Sequence, residues 1–464
     1  MGDPRRTRRS FLKALAGGAV AGAAAALAQR SVNAEARPNL LYVFSDQHRA
    51  VSLPGEPYSN IIAPNMERLA REGVRFVNCI SNYPVCSPHR AMLITGKWPY
   101  HSGVIDNNIR VVSDGNSIGD VFARAGYRTG YVGKWHLQGK SGIYQPPGPA
   151  RHGFEWWRVW YRTNAHWDKS FYYEDSPDAV RQPKGYNATL MVGQAIEFIK
   201  TNRGQRWCLF VSLNPPHPNF LDAPEEQKKL YPVEELKLRP NVPRAGLRRK
   251  NFREIFQGYC AHISAVDREL GRLLDALDET GQAKNTLVVY SADHGEMMGS
   301  QGRFGKRLPF EESCRVPFFA RWPGKIPAGH VAHTLLGTID IFPSLCGLVG
   351  LEIPSTCDGR DLSAAFLGKP LREPESQFLM HIDKHHASGG VRHPAPIFRG
   401  VRTTRYTYAY LRSGPWVLYD NEEDPFQQRN LVNDPGYRKL REELHALVQE
   451  WLKKADDPGD LTIA

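Results

Sequence analysis

The chain has 464 residues and a mass of 52.3 kDa, with 41% hydrophobic and 23% charged residues; that length exceeds a small interaction module, and that composition excludes wholesale disorder. Sixty Lys and Arg against 48 Asp and Glu give a net charge of +12, but the first 34 residues hold six of the basic and one of the acidic side chains, so the remainder carries +7 (54 against 47). A mildly basic surface favours anionic ligands, a mean hydropathy of -0.47 excludes a polytopic membrane protein, and the lack of a long Lys/Arg stripe argues against nucleic acid.

Residues 1–34 read as an export signal. Arg8-Arg9-Ser10-Phe11-Leu12-Lys13 is a twin-arginine motif, and the uncharged Ala/Gly-rich stretch 14–28 that follows is 15 residues long, too short for a stable membrane span. Small residues offer cleavage after Ala28 or Ala34. The twin-arginine translocase carries folded proteins, so the expected destination is the periplasm or the cell exterior.

Next, Leu40 to Phe44 is a buried-strand run ending in polar Ser45-Asp46-Gln47-His48. Met66 to Glu72 has a helical pattern that stops at Gly73, and 74–77 is again strand-like. Strand runs follow at 130–132, 208–213 and 287–291, with helical patterns at 190–200 and 252–279. In the second of these, Ile263, Val266, Leu270, Leu273, Leu274 and Leu277 keep the spacing of one buried face. Strand–helix alternation predicts an α/β fold, a mostly parallel sheet flanked by helices on both faces. Ligands bind beyond the carboxyl ends of such strands, where Asp46 and Asp293 fall. A composition change near 368–374 divides a catalytic domain, 35–370, from a C-terminal subdomain, 371–464. That subdomain is read as a small sheet (400–410 and 416–419) with an amphipathic helix over 435–454.

Seven cysteines are too few for a disulfide scaffold, and their number is odd. Cys86 stands apart, in Cys86-Ser87-Pro88-His89-Arg90 followed by Thr95-Gly96; the other six read as small core residues. Further polar motifs follow in order: Gly126-Tyr127-Arg128-Thr129 with Gly133-Lys134-Trp135-His136, then Pro215-Pro216-His217-Pro218, then Ser291-Ala292-Asp293-His294-Gly295-Glu296, then Gly305-Lys306. Together with Ser45-Asp46-Gln47 they span nearly the whole chain after residue 34, and in this order they resemble the type I, formylglycine-dependent sulfatases of the alkaline-phosphatase-like superfamily. The Asp-Gln and Asp-His pairs resemble the branch that includes choline sulfatases and phosphonate monoester hydrolases.

The resemblance implies that a formylglycine-generating enzyme oxidises Cys86 to formylglycine before export. It implies that Arg90, Lys134 and Lys306 supply fixed positive charge to an anionic sulfate ester, which agrees with the general need of such a reaction. His136 would assist the nucleophile, and His217 would protonate the departing oxygen, a task suited to an imidazole. One divalent metal would sit on Asp46, Gln47, residue 86, Asp293 and His294. Calcium is the family's usual ion, whereas imidazole suits manganese or zinc, and magnesium is a further candidate. His89 stands where the family signature carries a small residue, and is expected to crowd the helix start.

Phosphonate monoester or phosphodiester cleavage on the same centre is the alternative chemistry. A non-catalytic relative that binds anionic glycans is the alternative from another class, against which stand the retained Cys86, Arg90, Asp46 and Asp293. Trp156, Trp157, Trp160, Tyr161 and Trp167 form either an aromatic wall for a sugar or cation, or simple packing of a long connector. His381, His385, His386 and His393 mimic a metal cluster but read as surface or pocket-rim residues.

Overall fold

Runs of buried apolar residues bounded by polar turns build the centre of the computed structural model, which describes residues 37–140, 144–161, 164–243, 251–382 and 395–459. The twin-arginine segment and His385, His386 and His393 lie outside the described residues. Five parallel strands form the heart of the sheet, in the spatial order β9 (Thr286–Ala292), β1 (Asn39–Ser45), β8 (Trp207–Leu213), β4 (Arg128–Gly133) and β5 (Trp156–Tyr161). Beyond β9, the sheet continues through antiparallel β10 (Phe318–Arg321) to β2 (Val74–Phe76) and β11 (His330–Ala332). Beyond β5 it continues through antiparallel β6 (Phe171–Tyr173) and β7 (Val180–Arg181).

Both faces of the central strands are covered, as parallel sheets require. The two-residue period sends Leu40, Tyr42 and Phe44 into one core and Leu41 and Val43 into the other. The first core takes apolar side chains of α2 (Cys86–Thr95), α3 (Ile118–Arg124) and α6 (Thr338–Val349). The second takes those of α1 (Pro64–Glu72), α4 (Asn187–Thr201) and the 28-residue α5 (Phe252–Glu279). A short parallel pair, β3 (Cys79–Ile80) and β12 (Leu336–Gly337), lies outside the main sheet.

The last part of the chain forms an antiparallel sheet of β13 (Gln377–His381), β14 (Phe398–Arg402), β15 (Tyr406–Leu411) and β16 (Gly414–Asp420), followed by α7 (Arg438–Lys454). Two readings of the sequence are corrected here. The run 400–410 is a hairpin, because the polar stretch Thr403-Thr404-Arg405 turns back through a bond from Thr403 N to Tyr406 O. The aromatic run at 156–161 is a sheet strand rather than a connector; Trp157, Trp160 and Tyr161 are buried. All seven cysteines are free thiols, and Cys357 alone among them is not fully buried. No helix among the described residues is long and apolar enough to cross a membrane.

Candidate active site

The parallel register brings the predicted residues to one end of the sheet. Asp46 follows β1, Lys134 follows β4 and Asp293 follows β9; their backbone N–H groups donate to Leu213 O, Ser212 O and Ser45 O respectively, locking four adjacent strand ends (β9, β1, β8, β4) together. Close approach at β4 depends on Gly133, at φ 104°, where a Cβ would lie 2.0 Å from Ser212 O. Gln47 and His136 both hold left-handed backbone conformations, φ 73° and 59°, a strain that concentrates where a fold aims side chains into a site.

Cys86 is the first residue of α2, at the positive end of the helix dipole. The N-cap, Val85, has no side chain to offer; instead Asn107 Oδ1 accepts from Ser87 N (2.9 Å), and Ser87 Oγ donates to His136 O (2.6 Å). His89 does not crowd this turn. It is buried with Nδ1 3.0 Å from both Ser81 Oγ and Thr338 Oγ1, inside a regular helix.

Around the Cys86 sulfur stand His294 Nε2 at 3.2 Å, Lys306 Nζ at 3.3 Å and Asp46 Oδ1 at 3.9 Å. Arg90, one turn along the helix, forks across the centre: Nη2 donates to Asp46 Oδ2 (3.1 Å) and Asp293 Oδ2 (2.9 Å), and Nη1 to Ser212 Oγ and Lys134 O, both 2.7 Å. Lys134 Nζ donates to Asp46 Oδ2 at 2.7 Å. Gln47 Oε1 accepts from Lys306 Nζ (2.8 Å), its Nε2 donates to Glu296, and its backbone N–H donates to Asp293 Oδ1 (3.0 Å).

The field at this point favours negative charge. Burial and Asp46 work against ionisation of the Cys86 thiol, but Lys134 and Lys306 oppose them, and the thiol is held well below its ordinary range. Burial likewise opposes the Asp46 charge, yet Lys134, His217, Lys306 and Arg90 hold its carboxyl well below the usual range. Asp293 goes the other way: burial and the nearby Asp46 raise it. Two buried carboxylates whose charges oppose each other call for a cation between them.

Donor chemistry answers that call. Asp46, Cys86, Asp293 and His294 each place one ligand atom within 4.8 Å of the others. His294 Nδ1 lies 3.0 Å from Gly295 O; a carbonyl can only accept, so Nδ1 carries the proton and Nε2 presents a lone pair. These residues fit a divalent ion. Gln47 is adjacent, but its amide oxygen is engaged by Lys306.

A cavity of about 1250 Å³ opens over the centre, bounded by Cys86, Lys134, His136, His217 and Lys306 at one end and by Trp160, Tyr161, Asn164, Lys169, Gln182 and Asn219 further out. All the sequence-predicted catalytic residues except Arg90 line this cavity; Arg90 lies beneath it, fully buried. His136 is half-buried, with Nδ1 enclosed and without a hydrogen-bond partner among the described residues. His217 donates Nδ1–H to Pro218 O (2.9 Å), which leaves Nε2 as the nitrogen that can take up and pass on a proton. Enclosure by the protein pushes His217 well below the ordinary imidazole range, opposed by Asp46 and reinforced by Lys134 and Lys306.

Sequence reading missed three contributors. Ser212 is a polar interruption at the end of an apolar strand, a signal that was present. Asn107 caps a helix from 20 residues away, and nothing local announces it. Glu296 was quoted in a motif without a role: its Oε1 accepts from Met298 N (3.0 Å) and Gly305 N (2.7 Å) while Oε2 takes Gln47, so one carboxylate ties Gln47 to the loop carrying Lys306.

The geometry agrees with what the chain is similar to. The Sulfatase family matches residues 38–351, and N-sulphoglucosamine sulphohydrolase, C-terminal, matches 299–454. An ulvan-active sulfatase of Formosa agariphila is 36% identical over 91% of this chain and 82% of its own. An endo-4-O-sulfatase of Bacteroides thetaiotaomicron is 33% identical over 91% of this chain and 93% of its own. A sulfatase structure, yidJ from Bacteroides fragilis, superposes with TM-score 0.82 at 30% identity over 91% of this chain and 97% of that one. A choline-sulfatase of Rhizobium meliloti is 27% identical over 86% of this chain and 83% of its own, and a phosphonate monoester hydrolase of Agrobacterium radiobacter shares the fold at TM-score 0.74, with 22% identity over 90% and 96% of the two chains. The chain belongs to the sulfatase family, enzymes that hydrolyse sulfate esters.

Proposed function

We propose that this chain is an exported sulfatase that removes sulfate from a carbohydrate ester, with formylglycine at position 86 and one divalent ion on Asp46, Asp293 and His294. The observation that carries the reading is the meeting of Cys86 with Lys306, His294 and Asp46 at the end of a cavity of about 1250 Å³. That volume exceeds the roughly 300–1,000 Å³ of a small-molecule site and suits a saccharide of more than one unit. Its outer wall offers amides, a lysine and two aromatic rings, the groups that bind hydroxyls and sugar faces. The names of the ulvan-active and endo-4-O relatives support a carbohydrate substrate.

Formylglycine supplies an aldehyde hydrate, with one hydroxyl to attack sulfur and a second to let sulfate leave. A divalent ion supplies positive charge for sulfate oxygens. The two carboxylates of Asp46 and Asp293 outnumber the one imidazole of His294, which favours calcium. The remaining work falls to side chains. Lys134 and Lys306 hold the anionic ester, Arg90 fixes both carboxylates so that neither shifts during reaction, and His217 passes its Nε2 proton to the departing alcohol oxygen. His136 stands beside residue 86 to take up a proton.

A sulfate monoester carries one negative charge, whereas a phosphate monoester approaches two above its second pKa of about 6. A centre that already contains two buried carboxylates favours the less anionic ester. The test is a panel of sulfated saccharides, aryl sulfates, phosphodiesters and phosphonates on one matured preparation. Sulfated saccharides are expected to lead; a phosphodiester or phosphonate that outruns every sulfate would reassign the chemistry.

A further inference from the structure

Away from residue 86, three further ligand-bearing side chains converge. His166, Asp222 and His262 each place a ligand atom within 4.8 Å of the others. Both histidines are fully buried, while the Asp222 side chain keeps 27% exposure, an entry path for an ion. His166 Nδ1 lies 2.6 Å from Asp222 Oδ1, and Nε2, on the opposite side of the ring, is buried with no partner among the described residues, so it is the nitrogen that carries the ring proton when Nδ1 ligates. His262 Nε2 lies 3.3 Å from Asp222 Oδ1 and 3.1 Å from Asn219 O. Zinc bonds of about 2.0–2.1 Å place tetrahedral ligand atoms roughly 3.3 Å apart; the His262–Asp222 pair already stands at that separation, and the His166–Asp222 pair opens from its hydrogen-bonded 2.6 Å as the ion enters. Tyr186 Oη lies 2.8 Å from His262 Nδ1, the kind of outer hydrogen bond that orients a ligating imidazole.

We propose that His166, Asp222 and His262 form a second divalent-cation site, of zinc type, separate from the one at Cys86. Two imidazoles and one carboxylate favour zinc over calcium. On binding, the His262 proton moves from Nε2 to Nδ1, where Tyr186 Oη accepts it, so the imidazole stays neutral. The site joins two segments that wall the substrate cavity: Asn164, Ala165 and Lys169 on one side of it, and Asn219, Phe220 and Leu221 on the other. Trp167 Nε1 already donates to Asp222 O (2.7 Å) across the same junction. A cation here clamps the cavity wall and the turn that carries His217.

Chelator-stripped wild type, Asp222→Asn, His262→Gln and Asp293→Ala are titrated with zinc, with bound metal counted by mass spectrometry and melting temperature followed. Wild type is expected to hold two zinc equivalents, one at each site, of which Asp293→Ala retains the one on His166, Asp222 and His262, and zinc is expected to raise the melting temperature of both by several degrees. Asp222→Asn and His262→Gln are expected to lose that equivalent and its share of that rise. Should either variant fail to fold, the Asp293→Ala protein decides alone: no bound zinc and no zinc-dependent rise in it overturns the site. So does an unchanged zinc count in Asp222→Asn and His262→Gln, which would leave the cluster a hydrogen-bonded network.

Discussion

Asp46 and Asp293 are fully buried and share one guanidinium, so removing either leaves Arg90 and its neighbours unbalanced. Asp293→Ala is expected to remove the metal from the Cys86 centre and to lower kcat/KM about a hundredfold or more; stoichiometric calcium retained in the variant would contradict the ligand role. His217 sets a pH dependence whose sign follows from its surroundings. Enclosure, Lys134 and Lys306 depress it in the free protein, and a bound anionic ester offsets the lysines and raises it. Rising pH removes the proton it must donate, so the alkaline fall in kcat/KM is expected at lower pH than the fall in kcat. Coincident limbs, or limbs unchanged in His217→Ala, would remove His217 from the acid role. Glu296 accepts three hydrogen bonds that tie Gln47 to the Lys306 loop. Glu296→Gln is expected to cost about 2 kcal/mol of stability and to lower kcat more than it alters KM, measured by denaturant unfolding and steady-state rates.

At the scale of elements, the site depends on strands that end level with one another. Gly133 allows β4 to pass Ser212 O, and Ser212 Oγ in turn receives Arg90. Gly133→Ala therefore separates β4 from β8 just where Lys134 and Arg90 are aimed. Loss of about 2 kcal/mol or more, from a strained φ and overpacking together, is expected, with activity falling further than stability; a variant with wild-type rates would mean that Lys134 tolerates displacement. The same elements show what the sequence disclosed. Asp46 and Asp293 were legible because each closes an apolar run of fixed length, and Cys86 to Arg90 because the two lie one helical turn apart. Ser212 and Asn107 were not, since their partners come from chain distances of 122 and 20 residues, which no local pattern encodes. The turn at 403–405 was passed over because aromatic and β-branched residues on both sides carry one continuous strand signal. An aromatic wall was one of two readings of the 156–167 cluster, but that Trp160 and Tyr161 are the rings facing the cavity was not legible, because strand pairing decides which face each takes.

Over the whole molecule, the C-terminal sheet and α7 complete the core beside the site. Phe378, Met380, Val401, Tyr408, Leu418 and Leu444 pack in one cluster with Val85, which precedes Cys86, Met92 within α2 and Trp98 just beyond its end. His381 Nε2 also accepts from Arg307 (3.1 Å), the neighbour of Lys306. Ending the chain at residue 370 is expected to leave that apolar face bare and yield insoluble protein; a soluble fragment with native circular dichroism would show that the subdomain is dispensable for folding. Export belongs to this scale too. If residue 86 is converted to formylglycine and Arg8-Arg9 direct export, as proposed, the burial of Cys86 to 2% exposure in the folded chain predicts that modification precedes folding and that folding precedes transport. Replacing Arg8 and Arg9 by lysine is expected to strand modified, active enzyme inside the cell; unmodified protein there, or normal export, would break that order. The most direct measurement is sulfate release from sulfated saccharides by the matured protein and by Cys86→Ala, with the mass of the residue 86 peptide determined on the same wild-type preparation. Formylglycine at position 86, with sulfate release lost in the variant, is the expected result; equal release by both proteins, or turnover by a preparation carrying only the thiol, would contradict it.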